Sequence, residues 1–290
     1  RIRRVETERI ENELDKGNIV IVAGFQGLNR YDDITTLGRG GSDTSAVAIA
    51  AACRADLCQI FTDVEGVYTA DPRLVPEARK LAEISYDEML ELATLGAQVL
   101  HNRSVEIAKK YNVPLEVLSS LVEKPGTVIK EVAKMEKMLI KGVARDNHVT
   151  RISLIGLEDV PGIAFRIFSA LAARKINIDI ILQSVGRDNT KDISFTVSDS
   201  QREDAVAVVE ELKQTLRAKN IACDGVTKLS VVGAGMESNP GVAAMMFEAL
   251  SEAGVNIQMI ATSEIKISVL IDREESDRAL RAVHSAFVAG

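Results

Sequence analysis

Apolar and polar positions in the first part of the chain follow the pattern of a layered α/β fold. A β-branched run over residues 18–23, bounded by glycines, predicts a buried parallel strand, and a second strand is predicted over residues 57–62. An alanine-rich run over residues 45–54 predicts a helix between them, and an earlier helical pattern runs to about Asp15. Strands, helices and glycine turns therefore alternate as an α/β sheet requires.

Helical signals dominate the next part of the chain. Ser85 and Glu88 have the spacing of a capping box at a helix start. Two helices, a strand and a turn are then predicted, over residues 89–100, 104–111, 114–118 and 124–127. The charged stretch over residues 130–137 is interpreted as a linker, so we expect a domain boundary there.

The remainder of the chain repeats itself at an interval of 79 residues. The matched positions are Pro161 and Pro240, Gly162 and Gly241, Phe168 and Phe247, Leu171 and Leu250, Asn177 and Asn256, and Ile178 and Ile257. Each repeat has the order strand, helix, strand, strand, helix, which is typical of a ferredoxin-like βαββαβ unit. The elements are predicted over residues 151–157, 162–174, 178–185, 192–197 and 203–218, and over residues 228–233, 241–253, 257–262, 266–271 and 275–287.

The second repeat has no residues left for a fourth strand after its last helix. Residues 138–144 form a spare strand before the first repeat, and we expect them to complete the sheet of the second. The first repeat would then be threaded inside the second. The predicted domains are residues 1–130, a linker and strand over residues 131–148, the first repeat over residues 149–226 and the second over residues 227–290.

Composition predicts a globular protein without a nucleic-acid surface. Of the 290 residues 46% are hydrophobic, and no apolar run approaches the roughly 20 residues of a membrane helix. The net charge of −7 and the lack of Trp argue against a nucleic-acid partner. Three cysteines without CxxC spacing are interpreted as reduced thiols of a cytoplasmic protein. The histidines are scattered, so neither a hydrolytic triad nor a metal-ligand set is predicted.

A glycine-rich turn over residues 35–46, called the glycine turn below, carries the first candidate chemistry. Gly40 and Gly41 let the backbone approach a ligand closely, and free N–H groups at a helix start attract anions. The planar guanidinium group of Arg39 suits a carboxylate, and the carboxylate of Asp43 can bind an ammonium group, so the pair suits an amino acid. The alternative interpretation is that Ser42 or Asp43 only caps the helix.

Residues 60–73, called the second motif below, follow the predicted helix. The two stretches together resemble the aspartate kinase family, and the match continues through residues 95–101 to the C-terminus. The resemblance implies the C-terminal part of an amino-acid-kinase α/β/α sandwich, followed by two ferredoxin-like domains. It implies that L-aspartate is bound by Arg39, Gly40, Gly41, Ser42 and Asp43, with Arg39 and Asp43 catalytic. It also implies ATP with Mg²⁺, with the nucleotide bound by Thr62, Asp63, Tyr68, Thr69, Ala70, Asp71, Pro72 and Arg73.

The two repeats resemble ACT domains, which are the amino-acid-sensing units of aspartate kinases. Helix starts in such units favour a carboxylate, while acidic and amide side chains suit an ammonium or hydroxyl group. The resemblance implies binding of threonine, lysine or both near Asp159, Ile163, Ala164, Asn177, Ile178, Asp179, Gln183, Val242, Ala243, Asn256, Ile257, Ser263 and Glu264. It also implies a homo-oligomer that forms through these domains.

Phosphoryl transfer to a carboxylate needs no covalent nucleophile, because the substrate oxygen is already ionised near neutral pH. Positioning and charge neutralisation are then sufficient. The resemblance implies an aspartate kinase of lysine, threonine and methionine biosynthesis that is feedback-inhibited through its repeats. One alternative is a non-catalytic sensing chain of such a kinase, and another is a kinase that acts on glutamate or a nucleotide.

Two departures from the family pattern bear on these alternatives. Gln98 stands where many family members have a lysine that reaches the nucleotide. The family's opening strand and glycine loop, which supplies a catalytic lysine, has no counterpart before Asn18. We therefore expect a chain that is inactive as a kinase by itself.

Overall fold

The computed structural model describes residues 2–95, 99–131, 140–185, 190–234, 236, 239 and 241–288. Its first elements are helix α1 (Glu8–Asp15), strands β1 (Gln26–Leu28) and β2 (Ile34–Thr36), and helix α2 (Gly41–Ala52). β1 and β2 form an antiparallel hairpin, and the Leu37 N–H donates to the Phe25 carbonyl at 2.9 Å. This bond holds the hairpin beside the start of α2. Helix α2 begins at Gly41 rather than at the predicted residue 45.

The strand predicted over residues 18–23 is wrong. The backbone has no strand there, and Ile19 and Ile21 are each 94% exposed. A β-branched run forms a buried strand only where a neighbouring strand takes up its backbone hydrogen bonds and a second layer covers its side chains. In the described part of the chain this run has neither. Residues 24 and 25 lead from this run into β1.

A four-stranded sheet forms the centre of the amino-terminal unit. Its strands are β3 (Cys58–Thr62), β4 (Glu83–Ser85), β5 (Leu115–Ser119) and β6 (Thr127–Lys130), in the order β3-β5-β6-β4. β3 pairs with β5 and β4 pairs with β6 in parallel, whereas β5 and β6 are antiparallel. Thr62 lies opposite Ser119, so the carboxyl ends of β3 and β5 lie at the same edge of the sheet.

Helices α3 (Tyr86–Thr94) and α4 (Asn102–Tyr111) pack with α2 against this sheet. The predicted capping box is confirmed, because Ser85 Oγ accepts from the Glu88 N–H at 3.3 Å and Glu88 Oε2 accepts from the Ser85 N–H at 3.0 Å. The buried cluster between helices and sheet includes Val47, Met89, Val105, Ile60 and Leu115. This cluster fixes the start of α2 relative to the end of β3.

The two repeats share one antiparallel sheet of six strands. The strands are β7 (Gly142–Glu158), β8 (Ile181–Val185), β9 (Thr190–Ser198), β10 (Asn220–Val232), β11 (Met259–Ser263) and β12 (Lys266–Asp272). Their order is β11-β12-β10-β7-β9-β8. The sheet therefore has β8 of the first repeat at one edge and β11 of the second repeat at the other.

The first half of β7 completes the second repeat, as expected for residues 138–144. Residues 142–146 pair with residues 228–232, whereas residues 149–155 pair with residues 220–226. The chain thus contributes a strand to the sheet of the second repeat, then forms the first repeat, and then forms the remaining elements of the second repeat. Residues 138 and 139, and residues 132–137 of the predicted linker, lie outside the described residues, and the domain boundaries stay predictions.

Four helices of the described residues cover the six-stranded sheet. They are α5 (Ile163–Ala173) and α6 (Arg202–Lys213) in the first repeat, and α7 (Val242–Glu252) and α8 (Ser276–Val288) in the second. The core of the second repeat extends into the amino-terminal unit, because Ala70 and Val75 share a buried cluster with Val231, Met246 and Val283. None of the helices in the described residues is long and apolar enough to cross a membrane.

Candidate functional site

The glycine turn packs between two aromatic side chains. Gly40 is the N-cap of α2 with a φ of 70°, and a Cβ there would lie 2.4 Å from Cγ of His101. A Cβ on Gly41 would lie 2.9 Å from the ring of Phe25. Ser45 fixes the same turn, since its Oγ accepts from the Phe25 N–H at 3.0 Å and donates to the Gly41 carbonyl at 2.7 Å. Both glycines are therefore needed for this close packing.

Arg39 and Asp43 are available at the start of α2. The N-cap position of α2 is occupied by Gly40, and Ser42 and Asp43 lie inside the first turn of the helix. The interpretation that Ser42 or Asp43 only caps the helix is therefore wrong. Arg39 is exposed and Asp43 is partly exposed, and neither takes part in an ion pair within the described residues. Ser42 Oγ lies 3.4 Å from Asp43 Oδ1. The turn thus presents one cation and one anion beside free backbone N–H groups.

Asp43 also affects β3 electrostatically. Burial, and then the negative charge of Asp43, raise the pKa of the Cys58 thiol to about 11. Both effects keep this thiol protonated near neutral pH. Cys53, Cys58 and Cys223 form no disulfide.

Thr62 and Asp63 lie at the carboxyl end of β3, at the edge where open α/β sheets bind ligands. Thr62 Oγ1 donates to Asp63 Oδ1 at 3.1 Å, and the Thr62 carbonyl accepts from the N–H of Ser120 at 2.8 Å. Asp63 is exposed. The carboxylate is therefore held at the strand end and faces solvent.

A cavity of about 640 Å³ opens beside this strand end. Its lining includes Phe61, Ser119, Ser120, Leu121 and Lys124. None of these residues was predicted from the sequence to line a site. The available signal was the Ser-Ser pair directly after the predicted strand of residues 114–118, because parallel strands end at one edge.

The middle of the second motif turns away from solvent. Tyr68 forms an isolated bridge with Lys80, while Thr69 is 1% exposed and Ala70 is 6% exposed. The Thr69 carbonyl accepts from the N–H of Val143 in β7 at 2.7 Å. The structure therefore places Thr69 and Ala70 against the second repeat.

Asp71, Pro72 and Arg73 form the outward end of the second motif. Asp71 accepts two bonds from the Arg73 guanidinium, at 3.0 Å from Nε and 2.8 Å from Nη2, and a third from the Arg73 N–H at 2.9 Å. The side chain of Arg73 is 83% exposed. The bonds from Arg73 lower the pKa of Asp71, and Asp71 and then Asp63 raise the pKa of Arg73. Asp63 and Arg73 thus lie close enough for their charges to interact.

The residues present fit a nucleotide that carries Mg²⁺. Among the described residues no group of three His, Cys, Asp or Glu side chains could hold a metal ion. Mg²⁺ bound with a nucleotide needs only one or two protein carboxylates, because phosphates and waters complete its shell. Asp63 is an exposed carboxylate of this kind. Gln98 lies outside the described residues.

The predicted effector residues of the first repeat are divided between core and surface. Ile163 is buried, and Ala164 and Ile178 pack against the same core. Both aspartates are in ion pairs: Asp159 lies 2.8 Å from Lys191 Nζ, and Asp179 pairs with Lys228. The N–H of Asn177 donates to Gln201 Oε1 at 3.1 Å, and Gln183 is exposed in the edge strand β8.

The second repeat shows the same arrangement at its helix start. Val242 is buried, Ala243 and Ile257 pack against that core, and Asn256, Ser263 and Glu264 are exposed. Helices α5 and α7 each begin after a glycine without a side-chain cap, with φ of 91° at Gly162 and 121° at Gly241. The first backbone N–H groups of both helices are thus left without a side-chain acceptor from the capping residue.

Comparison with known proteins finds family matches in three parts of the chain. Residues 1–119 match the amino acid kinase family, and residues 150–217 and 229–287 each match the ACT domain. The chain is 49% identical over 290 residues to an aspartate kinase of Pseudomonas putida and 50% identical over 289 residues to aspartokinase 2 of Bacillus subtilis. Both alignments cover 99% of this chain and 71% of the relative.

Solved structures agree with the predicted α/β fold followed by ferredoxin-like domains. The aspartate kinase of Clostridium acetobutylicum superposes with a TM-score of 0.84 at 29% identity, over 97% of this chain and 66% of that one. Aspartokinase III of E. coli in complex with aspartate and ADP superposes with a TM-score of 0.81 at 28% identity, over 97% of this chain and 63% of that one. The same protein in complex with lysine and aspartate superposes with a TM-score of 0.76 at 28% identity, over 97% of this chain and 63% of that one. With its amino acid kinase region, its two ACT domains and these relatives, the chain belongs to the aspartate kinase family.

Proposed function

We propose that this protein transfers the γ-phosphoryl group of ATP to the side-chain carboxylate of L-aspartate and yields 4-phospho-L-aspartate and ADP. The observation that carries this proposal is the placement of Arg39 and Asp43 at the open start of α2, outside the ion pairs of the described residues. A cation and an anion beside the start of one helix suit the α-carboxylate and α-ammonium groups of an amino acid. The names of the relatives support the same substrate.

The proposed reaction is a displacement at phosphorus. A carboxylate oxygen of aspartate forms the new bond to the γ-phosphorus, the bond to the β–γ bridging oxygen breaks, and ADP leaves with the electron pair. The side-chain carboxyl has an ordinary pKa of about 3.9, so it is ionised and needs no general base. Arg39 and the N–H groups of α2 hold the amino acid, and Arg73 offsets charge on the phosphates. Mg²⁺ would neutralise further phosphate charge, with Asp63 as its protein ligand.

Two measurements on this chain test the proposal. Calorimetric titration with L-aspartate and with MgADP measures both sites directly, and glutamate is the matched control for the amino acid. Hydroxylamine trapping of an acyl phosphate then measures turnover in the presence of ATP. Because we expect the chain to be inactive by itself, the binding titrations decide the proposal. Binding of aspartate but not of glutamate supports the proposal, whereas binding or turnover with glutamate alone contradicts it. A chain that binds threonine or lysine but binds neither aspartate nor nucleotide would favour a non-catalytic sensing chain.

We also propose that threonine, lysine or both regulate the protein through the two repeats. The uncapped starts of α5 and α7 offer backbone N–H groups to an amino-acid carboxylate. The E. coli relative that was solved with lysine and aspartate supports an amino-acid effector. Calorimetric titration with threonine and lysine, with leucine as a control, tests this. Heat of binding for leucine alone, or for none of the three, contradicts it.

The edges of the six-stranded sheet suit assembly of a homo-oligomer. β8 and β11 each have one unpaired side in the described structure, and Ile181 and Ile260 on these strands are 54% and 45% exposed. We propose that subunits associate through these edges. Light scattering of the wild type and of Gln183→Pro tests this, because proline removes a backbone donor from β8.

A cytoplasmic location and a role in lysine, threonine and methionine biosynthesis are proposed together with the kinase activity.

A further inference from the structure

Helix α8 of the second repeat contacts the second motif through a buried hydrogen bond. Nε2 of His284 lies 2.9 Å from Oγ1 of Thr69, although the two residues are 215 positions apart in the chain. Thr69 is 1% exposed and His284 is 2% exposed. The bond therefore joins the carboxyl-terminal helix to the middle of the proposed nucleotide site, away from solvent.

The surrounding bonds leave Thr69 Oγ1 able to bond to His284. Thr69 Oγ1 accepts from the N–H of Arg79 at 2.9 Å, so its hydroxyl proton and a second lone pair remain for the imidazole. Nε2 accepts that proton in one neutral tautomer and donates to Oγ1 in the other. Burial lowers the pKa of His284, with opposing contributions from Glu77, which raises it, and Arg79, which lowers it. The imidazole is thus kept neutral, and the bond to Thr69 forms in either neutral tautomer.

The same segment is held at three further points. The Thr69 carbonyl accepts from the N–H of Val143 in β7, and the Leu74 carbonyl accepts from Nε of Arg281 in α8 at 3.1 Å. Ala70 and Val75 lie in one buried cluster with Val283 of α8. The start of the Asp71–Arg73 turn is therefore fixed to the second repeat by bonds and by packing.

We propose that His284 is a positioning residue for nucleotide binding: by holding Thr69, it fixes the second motif so that Arg73 meets the phosphates. This inference rests on the nucleotide site of the proposed function. A movement of α8 in the second repeat then changes nucleotide affinity directly. It leaves the glycine turn, and with it aspartate affinity, unchanged.

Paired variants test the bond. His284→Leu removes the imidazole partner and leaves an apolar side chain, and Thr69→Val removes the hydroxyl with little change of shape. His284→Gln keeps a polar group near the position of Nε2 and should restore the bond. Arg278→Ala is the control on α8, because Arg278 bonds to Gly254 and Glu275 within the second repeat. Calorimetry with MgADP and with L-aspartate gives the two dissociation constants for each folded variant.

We expect His284→Leu and Thr69→Val each to weaken MgADP binding roughly three- to ten-fold, the range of one lost hydrogen bond. Aspartate binding should change less than about two-fold, and the double variant should match either single variant because one bond is lost. His284→Gln and Arg278→Ala should bind MgADP as the wild type does. Equal weakening of both ligands, additive effects in the double variant or unchanged MgADP binding in His284→Leu would overturn the inference. A wild-type chain that binds no MgADP would instead overturn the proposed function.

Hydrogen exchange gives an independent readout in the absence of ligand. The amides of residues 69–79 should exchange faster in His284→Leu than in Arg278→Ala, because only the first variant releases this segment. Equal exchange in the two variants would show that His284 does not hold Thr69.

Discussion

Lys228 and Asp179 form an ion pair across the junction of the two repeats. Lys228 lies in β10 at the register shift where this strand passes from the first repeat to the second, and 5% of its side chain is exposed. Asp179 precedes β8, and 40% of its side chain is exposed. The pair therefore links a predicted effector residue to the strand that both repeats share.

Removing Asp179 is expected to destabilise the protein more than removing Lys228. Asp179→Asn leaves a buried ammonium group without its counter-charge, and because Asp179 is partly exposed we expect a loss of about 2–3 kcal/mol in the free energy of unfolding. Lys228→Met removes the charge and keeps the apolar stem, with an expected loss below about 1 kcal/mol. Urea unfolding monitored by circular dichroism measures both changes.

Glu158→Gln is the matched control for this comparison. Glu158 pairs with Arg217 at 2.7 Å in the same repeat, but the two side chains are 50% and 75% exposed. Exposed pairs contribute about 0–1 kcal/mol, so this variant should unfold close to the wild type. Equal losses in Asp179→Asn and Glu158→Gln would show that buried Lys228 does not depend on Asp179.

The burial of His284 predicts a pH dependence of stability. Burial lowers the pKa of His284 in the folded protein, whereas the unfolded chain has the ordinary value of about 6.5. Below about pH 6.5 the unfolded state therefore binds more protons at this site, and the free energy of unfolding falls as the pH falls toward the folded pKa. Above about pH 6.5 this contribution is complete and constant.

Urea unfolding at about pH 7.5 and about pH 5.5 measures this contribution in the wild type and in His284→Gln. Carboxyl groups titrate in both proteins, so the difference between the two pH dependences isolates the histidine. We expect the wild type to lose more stability on acidification than the variant. A variant that loses as much as the wild type would contradict the assigned direction.

The repeat architecture could be predicted because both copies carry the same pattern at one interval. The match of Asn177 to Asn256 and of Phe168 to Phe247 fixed the alignment, and the missing fourth strand of the second copy then indicated residues 138–144. Pairing of residues 142–144 with residues 230–232 follows this expectation. Such a prediction needs only the order of elements along the chain.

Contacts between distant segments could not be predicted in the same way. The β-branched run with Ile19 and Ile21 has strand propensity, but propensity supplies no pairing partner. Thr69 and His284 are far apart in the chain, and neither has a pattern that selects the other. The glycine turn was found because its glycines and charges are adjacent in sequence, whereas its contact with His101 depends on how α4 packs.

Gly40 is expected to be much less tolerant of alanine than Gly38. Both glycines have positive φ, 70° at Gly40 and 82° at Gly38, which costs a non-glycine residue about 1 kcal/mol. A Cβ at Gly40 would also overlap the ring of His101, whereas a Cβ at Gly38 has no atom within 4 Å. Gly40→Ala should therefore lower the free energy of unfolding by about 1–3 kcal/mol more than Gly38→Ala does.

The His101→Ala background separates the overlap from the backbone strain. In that background Gly40→Ala should lose only about as much stability as Gly38→Ala, because the strained φ remains and the overlap is gone. Thermal or urea unfolding of the four variants completes the comparison. An undiminished loss for Gly40→Ala without the His101 ring would show that the overlap is not the cause.

Asp43→Ala is expected to weaken aspartate binding selectively. Asp43 lies in the first turn of α2 and is free of ion pairs within the described residues, so an ammonium group would be its main charged partner. Loss of a charge-assisted bond should raise the dissociation constant for L-aspartate about ten-fold or more, and that for MgADP by less than about two-fold. Asp56→Ala, an exposed acid after α2, is the control and should change neither constant. Equal weakening of both ligands in Asp43→Ala would remove Asp43 from the amino-acid site, because a residue that contacts only aspartate cannot act equally on the nucleotide.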